Sequence, residues 1–249
     1  MATWVTHMMI ADGVLESVSE LDRRGFCVGN IAPDCNVENK DWTRFTPSRR
    51  ITHWMDTERK KASDCKKFYE EYIENRWQDI RSEEEYSFLL GYYSHLITDA
   101  EFQRFIRDES RIADVWRRIK EHPVLSEKAS GMSENWDSVK KLIGKKERMK
   151  DIYTMEADYL ANHPGAGYLT EILNLKSFPD YIDYLPEGAI VRKISVMGYL
   201  PQRETGDYSW IGMSQKEYEY FVDRAIELVI RALEKHKIRS GFLLKKQGI

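Results

Sequence analysis

The sequence predicts an all-α fold, a single-domain helical bundle with a long early loop and a less regular C-terminal third. Three observations predict it. Apolar residues recur three and four apart along much of the chain, the period of an amphipathic helix. Ser82-Glu83-Glu84-Glu85 and Ser214-Gln215-Lys216-Glu217 have the form of capping boxes, with serine at the cap and glutamate three residues on. Pro164, Pro179, Pro186 and Pro201 break any long element between residues 163 and 213. The 249 residues allow one or two domains. No internal repeat or separating linker is visible, so residues 1–249 read as one domain.

Thr3 to Arg23 reads as the first helix, with Val5, Met8, Ala11, Val14, Leu15, Val18 and Leu21 on its stripe and Gly25 as its stop. Residues 25–52 lack a helical period and are rich in turn formers, so they read as a long loop, a feature that is usually functional. A second helix is expected from about Thr57 to Ile80, with Tyr69, Tyr72 and Ile73 on its stripe. The first capping box opens a third, running to about Arg107. Further helices are expected at about 110–121, 133–149 and 151–162. The run Ala189-Ile190-Val191 through Val196 suggests a short strand or a buried loop. The second capping box opens a final helix with Tyr218, Phe221, Val222, Ala225, Ile226, Val229 and Leu233 on one face.

Composition excludes some functions. Lys plus Arg number 38 and Asp plus Glu 41, a net charge of −3, so the chain is not expected to read nucleic acid by bulk positive charge. Its three cysteines, Cys27, Cys35 and Cys65, are odd in number and lack zinc-finger spacing, so they read as reduced thiols in a cytoplasmic protein. The opening Met1-Ala2-Thr3-Trp4-Val5-Thr6-His7 lacks the features of a signal peptide. No apolar run is long enough to span a membrane.

Polar groups on apolar stripes carry the functional signal. His7 shares a narrow sector of the first helix with Ala11, Val14 and Val18, so it is either a core histidine or a ligand. His95 and Asp99 lie at i and i+4 on one helical face, alongside Phe88, Gly91, Phe102 and Ile106. A carboxylate there costs several kcal/mol unless it is paired or bound to metal. Asp34 follows Pro33 in the early loop, and His53 sits between bulky neighbours in Ile51-Thr52-His53-Trp54. Together these are three imidazoles and two carboxylates, a donor set without thiolate that suits zinc or a similar divalent ion in a hydrolytic site.

An early helical His, an Asp in Gly29-Asn30-Ile31-Ala32-Pro33-Asp34, a Thr-His-Trp segment and Gly91-Tyr92-Tyr93-Ser94-His95-Leu96-Ile97-Thr98-Asp99 follow one another in that order. In this, residues 1–107 resemble the zinc-dependent phospholipase C family, related to the S1/P1-type nucleases. The resemblance implies an all-α bundle in which Asp34, His53, His95 and Asp99 bind one zinc. Asp99 would bridge to a second zinc held by His7, with the terminal ligand left open between Met1, Ala2 and none. A third zinc of the secreted relatives is not expected, because Phe105 stands at one of its histidine positions and no His-x-x-x-Glu pair follows. The expected cofactor is thus one or two zinc ions.

The expected function is zinc-dependent hydrolysis of a phosphoester or phosphodiester, with Asp34 also accepting a proton from the attacking water. The alternative is a catalytically inactive, metal-stabilised helical binding module. The expected partner is a small phosphoester or a phospholipid, with peripheral membrane contact open. Residues 140–150 carry six basic side chains against one acid, a solvated face or an attractor of anionic lipid or phosphate. His122 and His163 precede prolines and read as turn residues, and His236 as a solvated helix end. Arg49 and Arg50 lie on the candidate site loop, where an arginine fork suits phosphate oxygens, although surface arginines are common.

Overall fold

A computed structural model describes residues 2–55 and 63–236. The fold is all-α. Helices α1 (Trp4–Ser17), α2 (Arg23–Ile31), α5 (Glu83–Phe105) and α11 (Gln215–Lys235) pack on one another and form the centre. Between α2 and α5 lie a two-stranded hairpin, β1 (Val37–Glu38) and β2 (Phe45–Thr46), and the short helices α3 (Arg49–Thr52) and α4 (Cys65–Tyr69). Helices α6 (Glu109–Glu121), α7 (Pro123–Lys128), α8 (Trp136–Leu142), α9 (Lys145–Asn162) and α10 (Ala189–Met197) occupy the stretch between α5 and α11. The hairpin pairs Val37 with Thr46 and Glu38 with Phe45, antiparallel.

Helix α5 is the axis. Ser82 caps it by accepting the Glu85 N–H. Its buried residues run without a gap from Tyr86 to Leu96 and continue through Thr98, Asp99, Glu101 and Phe102. A helix buried all round must be surrounded by others. Its tightest neighbour is α2. A Cβ on Gly29 would lie 2.1 Å from the Phe88 carbonyl oxygen, and one on Gly91 would lie 2.2 Å from that of Phe26. The two backbones therefore touch, and only glycine permits it.

That contact corrects the expected loop. Residues 23–31 are helical, capped by Asp22, which accepts the Gly25 N–H. Gly25 and Gly29 are packing residues rather than stops, and the first helix ends at Ser17, earlier than expected. The expected helix start at Thr57 lies outside the described residues; helical structure runs from Cys65 through a π-turn to Glu74. Around Gly144, the single helix expected over 133–149 divides, and α9 runs on to Asn162. The run from Ala189 forms a helix, not a strand, with Ala189, Ile190, Lys193 and Ile194 buried. Its buried side chains fall at three and four apart, a period that tertiary burial enforces over β-branched preference. The Ser214 capping box forms as expected.

Three other histidines have structural places. His122 caps α7, and His163 hydrogen-bonds the Tyr159 carbonyl at 2.8 Å. His236 is not a solvated end, because it stacks on Tyr69 with ring centroids 3.6 Å apart. The three cysteines are free. Burial holds the Cys27 and Cys35 thiols well above the ordinary range and pushes Cys65 up to about 12, so none is poised as a thiolate. Among the described residues, no helix is long and apolar enough to cross a membrane.

Candidate metal centre

All five residues singled out in the sequence meet at one end of α5. Helix α2 continues into a single 3₁₀ turn, Ala32–Asp34, with Pro33 inside it. That turn swings the Asp34 carboxylate toward α5. The Asn30 carbonyl, next after Gly29, accepts a hydrogen bond from His95 Nδ1 at 2.7 Å. This bond settles the tautomer, leaving His95 Nε2 as a lone pair. On the opposite side, α3 ends at Thr52 and delivers His53. The Thr52 hydroxyl is 2.9 Å from His53 Nδ1 and also donates to the Arg49 carbonyl. It therefore accepts from Nδ1–H, and His53 Nε2 too is a lone pair. The buried Tyr92 holds the segment in place by donating to the Thr52 carbonyl.

The two lone pairs face each other across 3.3 Å. Asp34 Oδ1 lies 3.3 Å from His53 Nε2. Asp99 Oδ2 lies 3.6 Å from His53 Nε2 and 4.0 Å from His95 Nε2. A tetrahedron of ligand atoms at about 2.0–2.1 Å from zinc has edges of about 3.3–3.5 Å. Two acceptor nitrogens held at that spacing, with carboxylate oxygens beside them, repel unless a cation lies between them. The donor set and spacing therefore fit zinc.

A second group shares His95. The His7 ring stacks on that of His95 at 3.8 Å and 7°. His7 is fully buried, and among the described residues neither of its ring nitrogens has a hydrogen-bond partner. Its Nε2 is 3.7 Å from Asp99 Oδ1, beyond hydrogen-bond reach. The Ala2 N–H donates to the same oxygen at 3.2 Å. Asp99 thus turns Oδ2 toward His53 and His95, and Oδ1 toward His7. A fully buried imidazole with two orphaned nitrogens is costly in a core, and a cation beside Asp99 Oδ1 would relieve it.

Electrostatics keep both carboxylates charged. Burial acts to raise them, but the charge of the chain's N-terminus and the His7 imidazole at Asp99, and the His53 and His95 imidazoles at Asp34, outweigh it and hold both well below the ordinary carboxylate range. Arg49 contributes at Asp34. Burial, with His7 beside it, holds His95 well below its ordinary value, so it stays neutral.

Residues 6–101 match the family model of zinc dependent phospholipase C. The matched segment starts one residue before His7 and ends two after Asp99, so it contains the whole ligand set. No curated protein and no solved structure matches the chain. Relative to the phospholipase C pattern, Phe105 has an apolar role: it packs against Phe221, with the Arg111 guanidinium over its ring. Among the described residues, the clusters that could hold a metal ion are Asp34 with His53 and His95, and His7 with His95 and Asp99.

Arg49 is weighed in the sequence as a phosphate fork but not counted among the site residues. Its guanidinium sits over both carboxylates, 2.7 Å from Asp99 Oδ2 and 3.4 Å from Asp34 Oδ1. Its place three residues before Thr52-His53 was the available signal. Asn30 and Thr52 orient the two imidazoles, and their places inside the quoted motifs marked them only indirectly. A cavity of about 900 Å³ opens from Asp34, Asp99 and Arg49. Its far walls come from the region after α5, with Arg107, Lys140, Lys145 and Arg148 as cations and Glu156 as an acid. Apolar side chains such as Trp4, Phe102, Trp136 and Ile152 fill the space between.

Proposed function

We propose that this protein is a zinc-dependent hydrolase of a phosphoester or phosphodiester, with Asp34, His53, His95 and Asp99 holding one zinc and His7 with Asp99 a second. One observation carries the reading: two unprotonated histidine nitrogens 3.3 Å apart, flanked by carboxylate oxygens at zinc spacing, at the wall of a cavity that can admit a substrate. The family match over residues 6–101 supports the same chemistry. Bound zinc supplies a water acidic enough to give hydroxide near neutral pH and offsets charge on the phosphoryl oxygens. Asp34, bordering the cavity, relays the proton of the attacking water. Arg49 neutralises the carboxylates and offers its fork to a phosphoryl oxygen. The cations on the far walls favour an anionic substrate, and the apolar lining takes an uncharged body such as a lipid chain or an aromatic group.

The alternative, a metal-stabilised binding module without turnover, draws on the closed four-ligand character of the first group, which is the form of a structural site. The two readings part on one experiment. Elemental analysis of protein purified without chelator is followed by assay on a chromogenic phosphodiester, a phosphomonoester and phosphatidylcholine. Hydrolysis that chelation abolishes, zinc restores and His53→Ala removes is the expected result. Bound zinc with no turnover above the His53→Ala background would leave the binding module. Protein that neither carries nor takes up zinc would end both readings.

A further inference from the structure

Glu156 is the unexplained acid of the cavity. It lies on α9, is 1% exposed, and reaches onto the first turn of α1. Its Oε1 accepts from the Thr3 hydroxyl, from the Thr6 N–H at 3.0 Å and from the Thr6 hydroxyl at 2.7 Å. Its Oε2 takes no hydrogen bond among the described residues. Glu156 lines the same cavity as Asp34, Asp99 and Arg49. Thr3 directly follows Ala2, whose N–H touches Asp99 Oδ1. Glu156 and the carboxylates of Asp34 and Asp99 thus line one cavity, and the start of α1 connects them.

Resting on the hydrolase reading above, we propose that Glu156 is a catalytic residue of this site, the general acid that protonates the leaving group of the phosphoester. Hydroxide attacks phosphorus, the bond from phosphorus to the leaving oxygen breaks, and the electron pair on that oxygen takes the proton from Glu156 Oε2. The carboxylate left behind recovers a proton from water as product departs. The surroundings suit an acid that is protonated before reaction. The hydroxyls of Tyr153, Tyr168 and Tyr218 feel its charge, and among the described residues no cation pairs with it. Burial raises its carboxyl to about 8, with the Thr6 hydrogen bonds acting in the opposite direction. Oε1 is anchored by three donors, so Oε2 is presented in a fixed direction.

Leaving-group dependence separates this role from helix capping, which Glu156 also performs for α1. The zinc-loaded protein and Glu156→Gln are compared on an alkyl 4-nitrophenyl phosphate and on the corresponding dialkyl phosphate. The amide keeps the acceptor for Thr3 and Thr6 but holds no acidic proton. Nitrophenolate leaves unaided and an alkoxide does not, so the variant is expected to lose about 10²-fold or more on the dialkyl ester, the range of general acid catalysis. Its loss on the nitrophenyl ester should be within about threefold. An independent readout is the carboxylic-acid C=O band in infrared difference spectra of the metal-free protein at neutral pH, which should vanish in Glu156→Gln. Equal losses on the two esters, or no such band in the parent protein, would overturn the assignment while leaving the hydrolase reading intact. A parent protein that cleaves neither ester would remove the hydrolase reading and this one with it.

Discussion

The chain up to Ile106 and the chain after it meet at one cavity and contribute differently to it. The first part supplies every proposed ligand, from His7 to Asp99. It holds them on two helices whose backbones touch at Gly29 and Gly91. Among the described residues, the second part supplies none of the proposed ligands. It supplies walls: Arg107, Lys140, Lys145, Arg148 and Glu156, carried on short helices and on α9. Holding an ion demands donor atoms fixed to within a few tenths of an ångström, and that comes from the closest-packed contact in the molecule. Selecting a substrate demands only sign and shape, which looser packing can provide. The division implies that damage to the first part should strike metal content and stability together, and damage to the second should strike substrate handling alone.

His95→Ala should break the first part most completely, because His95 belongs to both ligand groups. Metal should fall below half an equivalent by elemental analysis, and hydrolysis should fall to background. The substitution also leaves a cavity and orphans the Asn30 carbonyl, while Arg49 keeps Asp99 paired. Urea denaturation should show a loss of about 3 kcal/mol. Gly29→Ala tests the packing without touching a ligand. Its methyl group would press on the Phe88 carbonyl, and neither backbone can yield cheaply. A loss of about 2–3 kcal/mol is expected, with weaker metal retention because the Asn30 carbonyl and Asp34 shift with α2. Wild-type stability in Gly29→Ala would refute the claim that this contact sets the site.

Arg148→Gln probes the second part. Arg148 donates to the Ile143 and Lys140 carbonyls and stands over Trp136. Burial lowers its pKa, and among the described residues it has no acidic partner. Metal content should be unchanged, and KM for an anionic ester should rise about tenfold, or about 1.4 kcal/mol of lost binding, with kcat little altered. A change in metal content would erase the division between the two parts. His7→Phe sharpens the same comparison within the first part. Ring and bulk are kept, so stability should stay within about 1.5 kcal/mol. Metal should drop by about one equivalent where two were present, because only the His7 donor is lost. Unchanged metal and rate would return His7 to the core.

The same division explains how much was legible in the sequence. His95 and Asp99 were visible because a helix forces ligands on one face to i and i+4, and polar residues on an apolar stripe stand out. Asp34 and His53 were visible because each ends a short element, where turn-forming neighbours mark the place. The long helices were visible from their period and caps. Helix α2 was not, because Gly25 and Gly29 look like breakers when the neighbour they accommodate is unknown. Helix α10 was not, because a β-branched run has the local preference of a strand, and burial of Ile190 and Ile194 decides otherwise. Glu156 had no signal at all. It is one of two glutamates on a charged helix, and its burial depends on α1 arriving from 150 residues away.

That burial makes Glu156 testable by pH even without a substrate. Its carboxyl is raised to about 8 in the folded protein, against about 4.3 for glutamate in an unfolded chain. Below the unfolded value both states carry the proton, and the contribution to stability is fully present. Between the two values the folded protein keeps a proton that the unfolded chain has released. Unfolding is then favoured by up to about 1.4 kcal/mol for each unit of rising pH. Above the folded value both states are ionised and the loss stops growing. Glu156→Gln does not titrate, so every other group cancels when the variant is compared with the parent at equal metal loading. The stability of Glu156→Gln minus that of the parent should therefore climb from about pH 5 to about pH 8 and flatten beyond. A difference that stays constant across this range would mean that Glu156 ionises as an ordinary surface acid. The C-terminal wall would then present a fixed negative charge beside the carboxylates of Asp34 and Asp99, and an anionic substrate would meet repulsion from both sides of the cavity.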